Sequence, residues 1–162
     1  MKRLLRYILL ANLITINFGC GLDKGYTFYK SVSNEGLGVN PLIFKVPEGI
    51  VNSSKKNIYL RLRNNNDYPY SNIFLLASLR SGEDKIYHDT LEYAMASADG
   101  SWLGSGFSEI KESKLWWKEG VILPNEEPLI IEVSQAVRNN GEEKGLGKLK
   151  GIISVGISIE DQ

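Results

Sequence analysis

Cysteine and histidine are almost absent from this chain of 162 residues, which contains one of each, Cys20 and His88. One cysteine cannot form a disulfide bond within the chain, so disulfide bonds do not support the fold. A metal site built from several cysteine or histidine ligands is excluded, and a Ser-His-Asp triad would have to use His88. No serine lies in a Gly-x-Ser-x-Gly motif. We therefore predict a protein without enzymatic activity, bound metal or other cofactor.

The chain also lacks a long apolar run and an excess of charge of either sign. The longest stretch that is almost wholly apolar, residues 7–18, has 12 residues, whereas a helix that spans a membrane needs about 20. Lysine and arginine together number 19, as do aspartate and glutamate. This balance is not typical of a nucleic-acid-binding protein, and it provides no broad electrostatic attachment to anionic lipid. We predict no nucleic-acid partner.

The amino-terminal stretch has the three-part layout of a secretory signal. Basic residues precede the apolar run 7–18, and the small residue Gly19 lies directly before Cys20. This arrangement resembles the lipobox of bacterial lipoproteins, in which the signal is cleaved before a cysteine that carries diacylglycerol. We predict a lipoprotein signal peptide at residues 1–19 and a lipidated tether at residues 20–24, held at a membrane by acyl chains on Cys20. The alternative is an ordinary signal peptide with an incidental cysteine.

Residues 25–162 show the two-residue periodicity of β-strands and no convincing helix. The clearest strand spans residues 57–63, where Ile58, Leu60 and Leu62 share one face. The strands are predicted at residues 26–32, 41–46, 57–63, 72–79, 85–93, 113–123, 129–137 and 149–159. About eight short strands separated by turn residues predict one all-β domain over residues 25–162, an antiparallel β-sandwich that is jelly-roll-like. A closed β-barrel is the second choice.

Two further expectations concern the direction of side chains. The last strand is predicted to bury Ile153 on the same face as Val155 and Ile157. The adjacent residues Trp116 and Trp117 must point to opposite faces if they lie in a strand. One of the two tryptophans is therefore expected in the core and the other at or near the surface.

Three aromatic side chains are the best candidates for a binding surface. Tyr68 and Tyr70 flank a proline in a turn, and Trp102 lies in the glycine-rich stretch 98–106. Tyrosine and tryptophan give rigid contact area, and binding residues tend to lie on loops held by a rigid scaffold. In a sandwich the loops gather at the two ends, so we predict a joint partner-binding site of Tyr68, Tyr70 and Trp102. The alternative is that Trp102 covers the end of the core.

Three stretches of the sequence carry a family resemblance, namely residues 61–73, which include a Tyr-Pro-Tyr turn, residues 98–106, and residues 135–138 followed by residues 149–157. They resemble the gliding-motility lipoprotein GldH family of Bacteroidetes. With the lipobox-like amino terminus, they follow the order of the family over nearly the whole chain. The resemblance implies a non-enzymatic lipoprotein of the cell envelope that is required for gliding motility and linked to type IX protein secretion. It implies no catalytic or ligand-binding residues.

We therefore predict a membrane-anchored protein that binds a protein partner of the gliding or secretion machinery. Only one acidic residue, Asp23, closely follows Cys20, whereas surface-export tethers of this phylum resemble acid-rich runs, so we expect the anchor to face the periplasm. The alternative function is carbohydrate binding by a lectin-like sandwich, with Tyr70 and Trp102 as stacking platforms. An enzyme that uses paired carboxylates is a third alternative.

The substitution Cys20→Ser tests the predicted anchor. We expect the variant to remain an uncleaved precursor without lipid, because the diacylglycerol is attached through the thiol. The neighbouring substitution Gly21→Ser keeps the thiol and should be processed and acylated. Intact-mass measurement of both variants checks the prediction. A wild-type protein that begins at another residue and carries no diacylglycerol would contradict it.

Overall fold

A computed structural model describes residues 25–138 and 145–162 of the chain. The predicted signal peptide, Cys20 and the tether lie outside the described residues, as do residues 139–144 of the predicted loop before the last strand. A short 3-10 helix is formed by Glu48–Ile50. The strands are β1 (Gly25–Ser31), β2 (Leu37–Gly38), β3 (Leu42–Lys45), β4 (Lys56–Asn64), β5 (Asn72–Ser81), β6 (Asp84–Ala94), β7 (Lys111–Val121), β8 (Leu129–Gln135), β9 (Lys148–Leu149) and β10 (Ile152–Asp161).

The strands form two four-stranded antiparallel sheets and one two-stranded sheet. The first sheet has the order β1-β10-β4-β7 and the second has the order β3-β8-β5-β6, while β2 pairs with β9. Numbered along the chain, the eight longer strands lie in the orders 1-8-3-6 and 2-7-4-5, which is the arrangement of a jelly roll. Buried side chains of both sheets belong to one hydrophobic core. The predicted all-β fold is confirmed, and the eight predicted strands correspond to the eight longer strands.

Strand β4 shows why the first sheet packs against the second. Buried and half-buried residues alternate along its nine positions, and Ile58, Leu60 and Leu62 have no exposed surface. Their neighbours Arg61 and Arg63 point to the outer face of the sheet and are half-buried. Full burial of one such aliphatic side chain contributes about 1.5–3 kcal/mol, so the alternation drives one face of β4 into the core.

The predicted phase of the last strand is wrong at its beginning. Between Ile152 and Ser154 the register of β10 against β4 shifts by one extra residue, which is a β-bulge. Ile152 is buried in the core, whereas Ile153 is 36% exposed. Val155 and Ile157 are buried as predicted. A bulge re-aims one side chain, and the alternation of apolar residues in the sequence does not reveal it.

The adjacent tryptophans lie on opposite faces of β7, as predicted. Trp117 points into the core and is 6% exposed, whereas Trp116 points outward and is 44% exposed. The Trp117 indole N–H donates to the Asp89 carboxylate of β6 at 3.0 Å, and Lys118 forms an ion pair with the same carboxylate at 3.0 Å. The Tyr93 hydroxyl of β6 donates to the Trp116 carbonyl at 2.5 Å. These contacts join β6 and β7, which are edge strands of the two sheets.

The substitution Leu60→Ala tests the assignment of the buried face. We expect it to lower the free energy of unfolding by about 2–5 kcal/mol, because it leaves a cavity in the core. Leu103→Ala makes the same change at a side chain that is 57% exposed, and it should cost less than about 0.5 kcal/mol. Urea unfolding of both variants checks the prediction, and equal effects would contradict the assigned face.

Candidate partner-binding site

The structure brings the three candidate aromatic residues together. The ring centroids of Tyr68 and Tyr70 lie 5.8 Å apart, with an interplanar angle of 74°. The ring centroids of Tyr68 and Trp102 lie 6.1 Å apart. Both separations fall in the range of favourable aromatic pairs, about 4.5–7 Å. Two separate loops, residues 65–71 and 95–103, therefore meet in one aromatic cluster of Tyr68, Tyr70 and Trp102.

Turn chemistry and a glycine fix the backbone of the loop 65–71. The Asn65 side-chain oxygen accepts a hydrogen bond from the Asp67 N–H at 3.0 Å, which is the local turn that asparagine favours. Gly151 has a φ of +82°, and a Cβ added there would lie 2.1 Å from the backbone nitrogen of Tyr68. The Asn65 N–H donates to the Gly151 carbonyl at 2.9 Å. Glycine is therefore required where the turn before β10 meets this loop.

Hydrogen bonds hold the loop 95–103 against the first loop. The Ser71 carbonyl accepts hydrogen bonds from the first two N–H groups of this loop, at 2.7 and 3.1 Å. The Trp102 indole N–H donates to the side-chain oxygen of Asn66 at 3.1 Å. The orientation of the indole is therefore fixed from both loops, which reduces the conformational entropy that Trp102 would lose on binding.

The three residues of the aromatic cluster differ in what they present to a partner. Tyr68 is 3% exposed, and its hydroxyl donates to the Asn72 carbonyl at 2.6 Å. Burial raises the pKa of the Tyr68 hydroxyl, with a further contribution from Tyr70, so this group stays protonated and donates. Tyr70 and Trp102 are half-buried and pack against the core on one side. Tyr70 and Trp102 therefore supply the accessible surface, and Tyr68 lies beneath it.

A polar network that was not predicted from the sequence lies on the outer face of the first sheet. Glu112 of β7 accepts hydrogen bonds from the Tyr29 hydroxyl at 2.7 Å, from Arg63 Nε at 2.8 Å and from Arg61 at 3.3 Å. Burial raises the pKa of Glu112, but these donors and the two arginine charges outweigh it and hold the pKa below its usual value. The alternation of buried and half-buried residues along β4 indicates that Arg61 and Arg63 point to the outer face. Which side chains they meet there depends on how β1, β4 and β7 are aligned with one another, and the sequence does not show this alignment.

Aromatic rings orient the cations on the same face. The Arg63 guanidinium lies 4.1 Å from the Tyr29 ring centroid, and the Lys114 ammonium lies 3.9 Å from the Tyr59 ring centroid. Tyr59 and Trp116 meet edge to face with centroids 4.9 Å apart. Each cation–π contact contributes about 0.5–1 kcal/mol at an exposed site. The outer face of the first sheet is therefore an ordered surface of charged and aromatic side chains.

The part of the chain that the structure describes holds no group of three or more His, Cys, Asp or Glu side chains arranged to bind a metal ion. Across residues 25–138 and 145–162, no helix is long and apolar enough to cross a membrane. The single histidine, His88, is exposed on β6. The chemistry of the aromatic cluster and of the outer face is suited to contacts with another molecule through stacking, ion pairs and hydrogen bonds.

The fold places the chain in the class of β-sandwich proteins with jelly-roll topology. A sequence profile described as GldH lipoprotein matches residues 26–159, almost the whole sandwich. The chain belongs to the GldH lipoprotein family, as its sequence motifs indicated. This family consists of lipoproteins of gliding motility, so the chain is a membrane-anchored protein of the cell envelope.

Two relatives support this assignment over most of their length. The gliding motility lipoprotein GldH homolog of Christiangramia forsetii is 42% identical over 141 residues, which cover 87% of this chain and 86% of the relative. The gliding motility lipoprotein GldH of Flavobacterium johnsoniae is 38% identical over 146 residues, which cover 90% of this chain and 89% of the relative. Neither relative is named for an enzymatic activity or for carbohydrate binding.

Two solved structures have weak similarity to the fold. Dimeric latent PorU from Porphyromonas gingivalis gives a TM-score of 0.32 at 13% identity, covering 85% of this chain and 13% of that chain. The VP2 subviral particle of infectious bursal disease virus gives a TM-score of 0.27 at 11% identity, covering 86% of this chain and 38% of that chain. The chain thus spans a minor part of either protein, and at these TM-scores neither similarity carries an argument.

The network around Glu112 predicts a pH-dependent contribution to stability. The pKa of Glu112 is lower in the folded protein than its usual value of 4.5, so its stabilising effect is present above that value and is lost as the pH falls through the folded pKa. The difference in unfolding free energy between wild type and Glu112→Gln should therefore be larger at about pH 6 than at about pH 3.

Urea unfolding at the two pH values measures this difference. Glu119→Gln changes an exposed glutamate of the same strand and serves as the matched control, since this side chain lies outside the network around Glu112. A difference for Glu112→Gln that is the same at both pH values would contradict the role of the carboxylate in the network.

Proposed function

We propose that this chain is a non-enzymatic component of the cell envelope that takes part in gliding motility, is linked to type IX protein secretion, and acts by binding a protein partner. The observation that carries the proposal is its membership of the GldH lipoprotein family over residues 26–159. The Flavobacterium johnsoniae relative, named a gliding motility lipoprotein, is similar along 90% of the chain. The names of the family and of this relative refer to a motility process and to a lipid anchor, and neither refers to a reaction. Such names are consistent with a role in binding.

The aromatic cluster supports binding of a protein partner. Tyrosine and tryptophan are enriched among the residues that dominate the energy of protein interfaces, especially where they are well packed. Trp102 is held by its hydrogen bond to Asn66, and the buried ring of Tyr68 packs against both Tyr70 and Trp102. An ordered surface of this kind loses little side-chain entropy when a partner binds. We therefore place the partner contact on Tyr70 and Trp102, with Tyr68 as their support.

The position of the aromatic cluster relative to the anchor favours a partner that lies away from the membrane. Acyl chains on Cys20 would hold the chain close to Gly25, where β1 begins; we name this the anchor end. Strand β1 ends at Ser31, which pairs with Ser154, and the loop 65–71 leaves β4 at this same side, the distal end. Strand β1 has seven residues, and the six steps between them, at about 3.3 Å each, separate the two ends by about 20 Å.

The side of the membrane follows from the tether. Asp23 is the one acidic residue among residues 20–24, and such a tether lacks the acid-rich composition that favours surface export in this phylum. The domain then faces the periplasm, with the distal end projecting from the membrane. A partner of the motility or secretion machinery that reaches into the periplasm would meet Tyr70 and Trp102 first.

The substitution Trp102→Ala tests the proposed contact. We expect it to abolish recovery of the protein partner while the melting temperature falls only slightly, because Tyr68 closes the core beneath the indole. Trp116→Ala removes the same side chain from the outer face of the first sheet, and this matched control should retain the partner. Partner recovery is measured after crosslinking in living cells and detergent solubilisation, and the melting temperature is measured on the purified proteins.

A different result is expected if Trp102 serves only to cover the core. The variant would then lose about 3–5 kcal/mol of stability, and partner recovery would fall only in proportion to the unfolded fraction. Strong destabilisation, or full partner recovery by a stable Trp102→Ala variant, would count against Trp102 as a contact residue.

A further inference from the structure

A groove lies at the distal end of the first sheet, on its outer face. Its floor is a row of paired residues from all four strands: Ser31 of β1, Ser154 of β10, Arg63 of β4 and Glu112 of β7. Part of the segment 105–110, which leads into β7, forms its wall. The groove has a volume of about 710 Å³, within the range of about 300–1,000 Å³ that is usual for ligand sites.

Apolar side chains line one side of this groove. Phe107 is fully exposed, and Ile110 and Ile153 are each at least about a third exposed. The β-bulge at the start of β10 turns Ile153 outward, against the alternation of its own strand. Bulges are common beside binding sites, where they re-aim a side chain, and clustered exposed apolar side chains mark interaction surfaces. The exposure of Ile153 is therefore a consequence of the backbone conformation at the bulge.

The floor of the groove contains a hydroxyl group without a partner. Ser154 is 4% exposed, and its Oγ is the buried side-chain polar atom within residues 25–138 and 145–162 that makes no hydrogen bond. Buried polar groups are nearly always hydrogen-bonded, and an exception calls for an explanation. A ligand group that donates to or accepts from Ser154 Oγ would supply the missing hydrogen bond.

The charged residues that line the groove are Arg63 and Glu112, and of the two Arg63 is the one with hydrogen-bond donors left for a ligand. Arg63 is paired with Glu112 through Nε, which engages one of the five N–H donors of the guanidinium. Glu112 already accepts hydrogen bonds from Tyr29, Arg63 and Arg61, so its negative charge is compensated. Lys111 donates to the Gly106 carbonyl at the wall. An acidic group of a ligand would thus complement Arg63.

We infer that this groove binds an extended segment of a partner protein in which an acidic side chain lies beside large apolar side chains. The acidic group pairs with Arg63, the apolar side chains pack between Phe107, Ile110 and Ile153, and a polar group of the segment bonds Ser154 Oγ. The inference rests on the proposed function, because it takes the partner to be a protein, and it adds a contact of defined chemistry to the one at the aromatic cluster.

Two other occupants fit the groove less well. A sugar ring stacks on flat aromatic faces, and among the lining residues Phe107 is the one aromatic side chain, whereas Ile110 and Ile153 are branched aliphatic side chains that favour other apolar side chains. A membrane surface would meet the anchor end near Gly25, and the groove lies at the distal end with Ser31. A peptide segment is the occupant that uses the apolar side, the cation and the free hydroxyl together.

Site-specific photo-crosslinking in living cells tests the inference. A benzophenone amino acid replaces Phe107 in the groove, Tyr70 in the aromatic cluster, or Ile122, an exposed residue beyond the end of β7 at the anchor end. We expect adducts at position 107 to a partner segment that contains an acidic residue next to apolar residues, identified by mass spectrometry of the crosslinked peptides, and none at position 122.

The contribution of the cation is measured by adding Arg63→Gln to the variant labelled at position 107. Loss of one charged hydrogen bond should weaken binding by about tenfold or more, with a corresponding drop in adduct yield. Arg80→Gln breaks a comparable ion pair with Glu132 in the second sheet and should leave the yield unchanged. Equal losses from the two substitutions would overturn the assigned role of Arg63.

The pattern of adducts separates this inference from the proposed function. Adducts at position 70 without adducts at position 107 would overturn the groove and leave the proposed function intact. Adducts at position 107 alone would support the groove and remove the aromatic cluster as a contact. Adducts of position 107 with glycan or lipid would overturn the inference, and the absence of protein adducts at both positions would overturn both proposals.

Discussion

The antiparallel pairing of β10 with β1 on one side and β4 on the other is the constraint on which the rest of the structure depends. It joins the end of the chain to its first strand and places Val155, Ile157 and Ile159 in the core. Because side chains alternate with a period of two, the register that buries these residues also determines every row on the outer face. The row that links Ser154 to Arg63 and Glu112 is therefore a consequence of core packing.

The register fixes the positions of the charged side chains on the outer face, but their ion pairs add little to the free energy of unfolding. Partly exposed ion pairs typically contribute about 0–1 kcal/mol each, so the hydrogen bonds to Glu112 do not decide whether the chain folds. They do hold Arg63 in one place beside Tyr29. The ring of Tyr29 lies directly over Gly156, where an added Cβ would be 2.6 Å from the ring. A glycine in the middle of a sheet, which weakens a strand, here allows the close approach that orders the network.

Local patterns in the sequence predict most of the fold, because the longer strands obey simple alternation. The burial of Leu60, the opposition of Trp116 and Trp117, and the meeting of two loops at one end of a sandwich follow from neighbouring residues and general topology. The two-residue strands β2 and β9, the bulge before Ser154, and the partners of Glu112 depend on register between distant segments. The burial of Tyr68 was also beyond prediction, since the Tyr-Pro-Tyr turn does not indicate which ring points inward.

Register shifts occur toward both ends of the sandwich, but the two ends differ in how their polar and apolar side chains are satisfied. At the anchor end the buried Lys56 is paired with Asp161 at 2.6 Å, so that a costly buried charge has its partner. At the distal end Ser154 keeps an unpaired hydroxyl, a bulge exposes Ile153, and Phe107 lies in solvent. Folding alone does not favour such features, and sites that depart from the rules of sheet formation are expected where a protein meets its partner. The aromatic cluster and the groove lie at this same end, away from the predicted lipid.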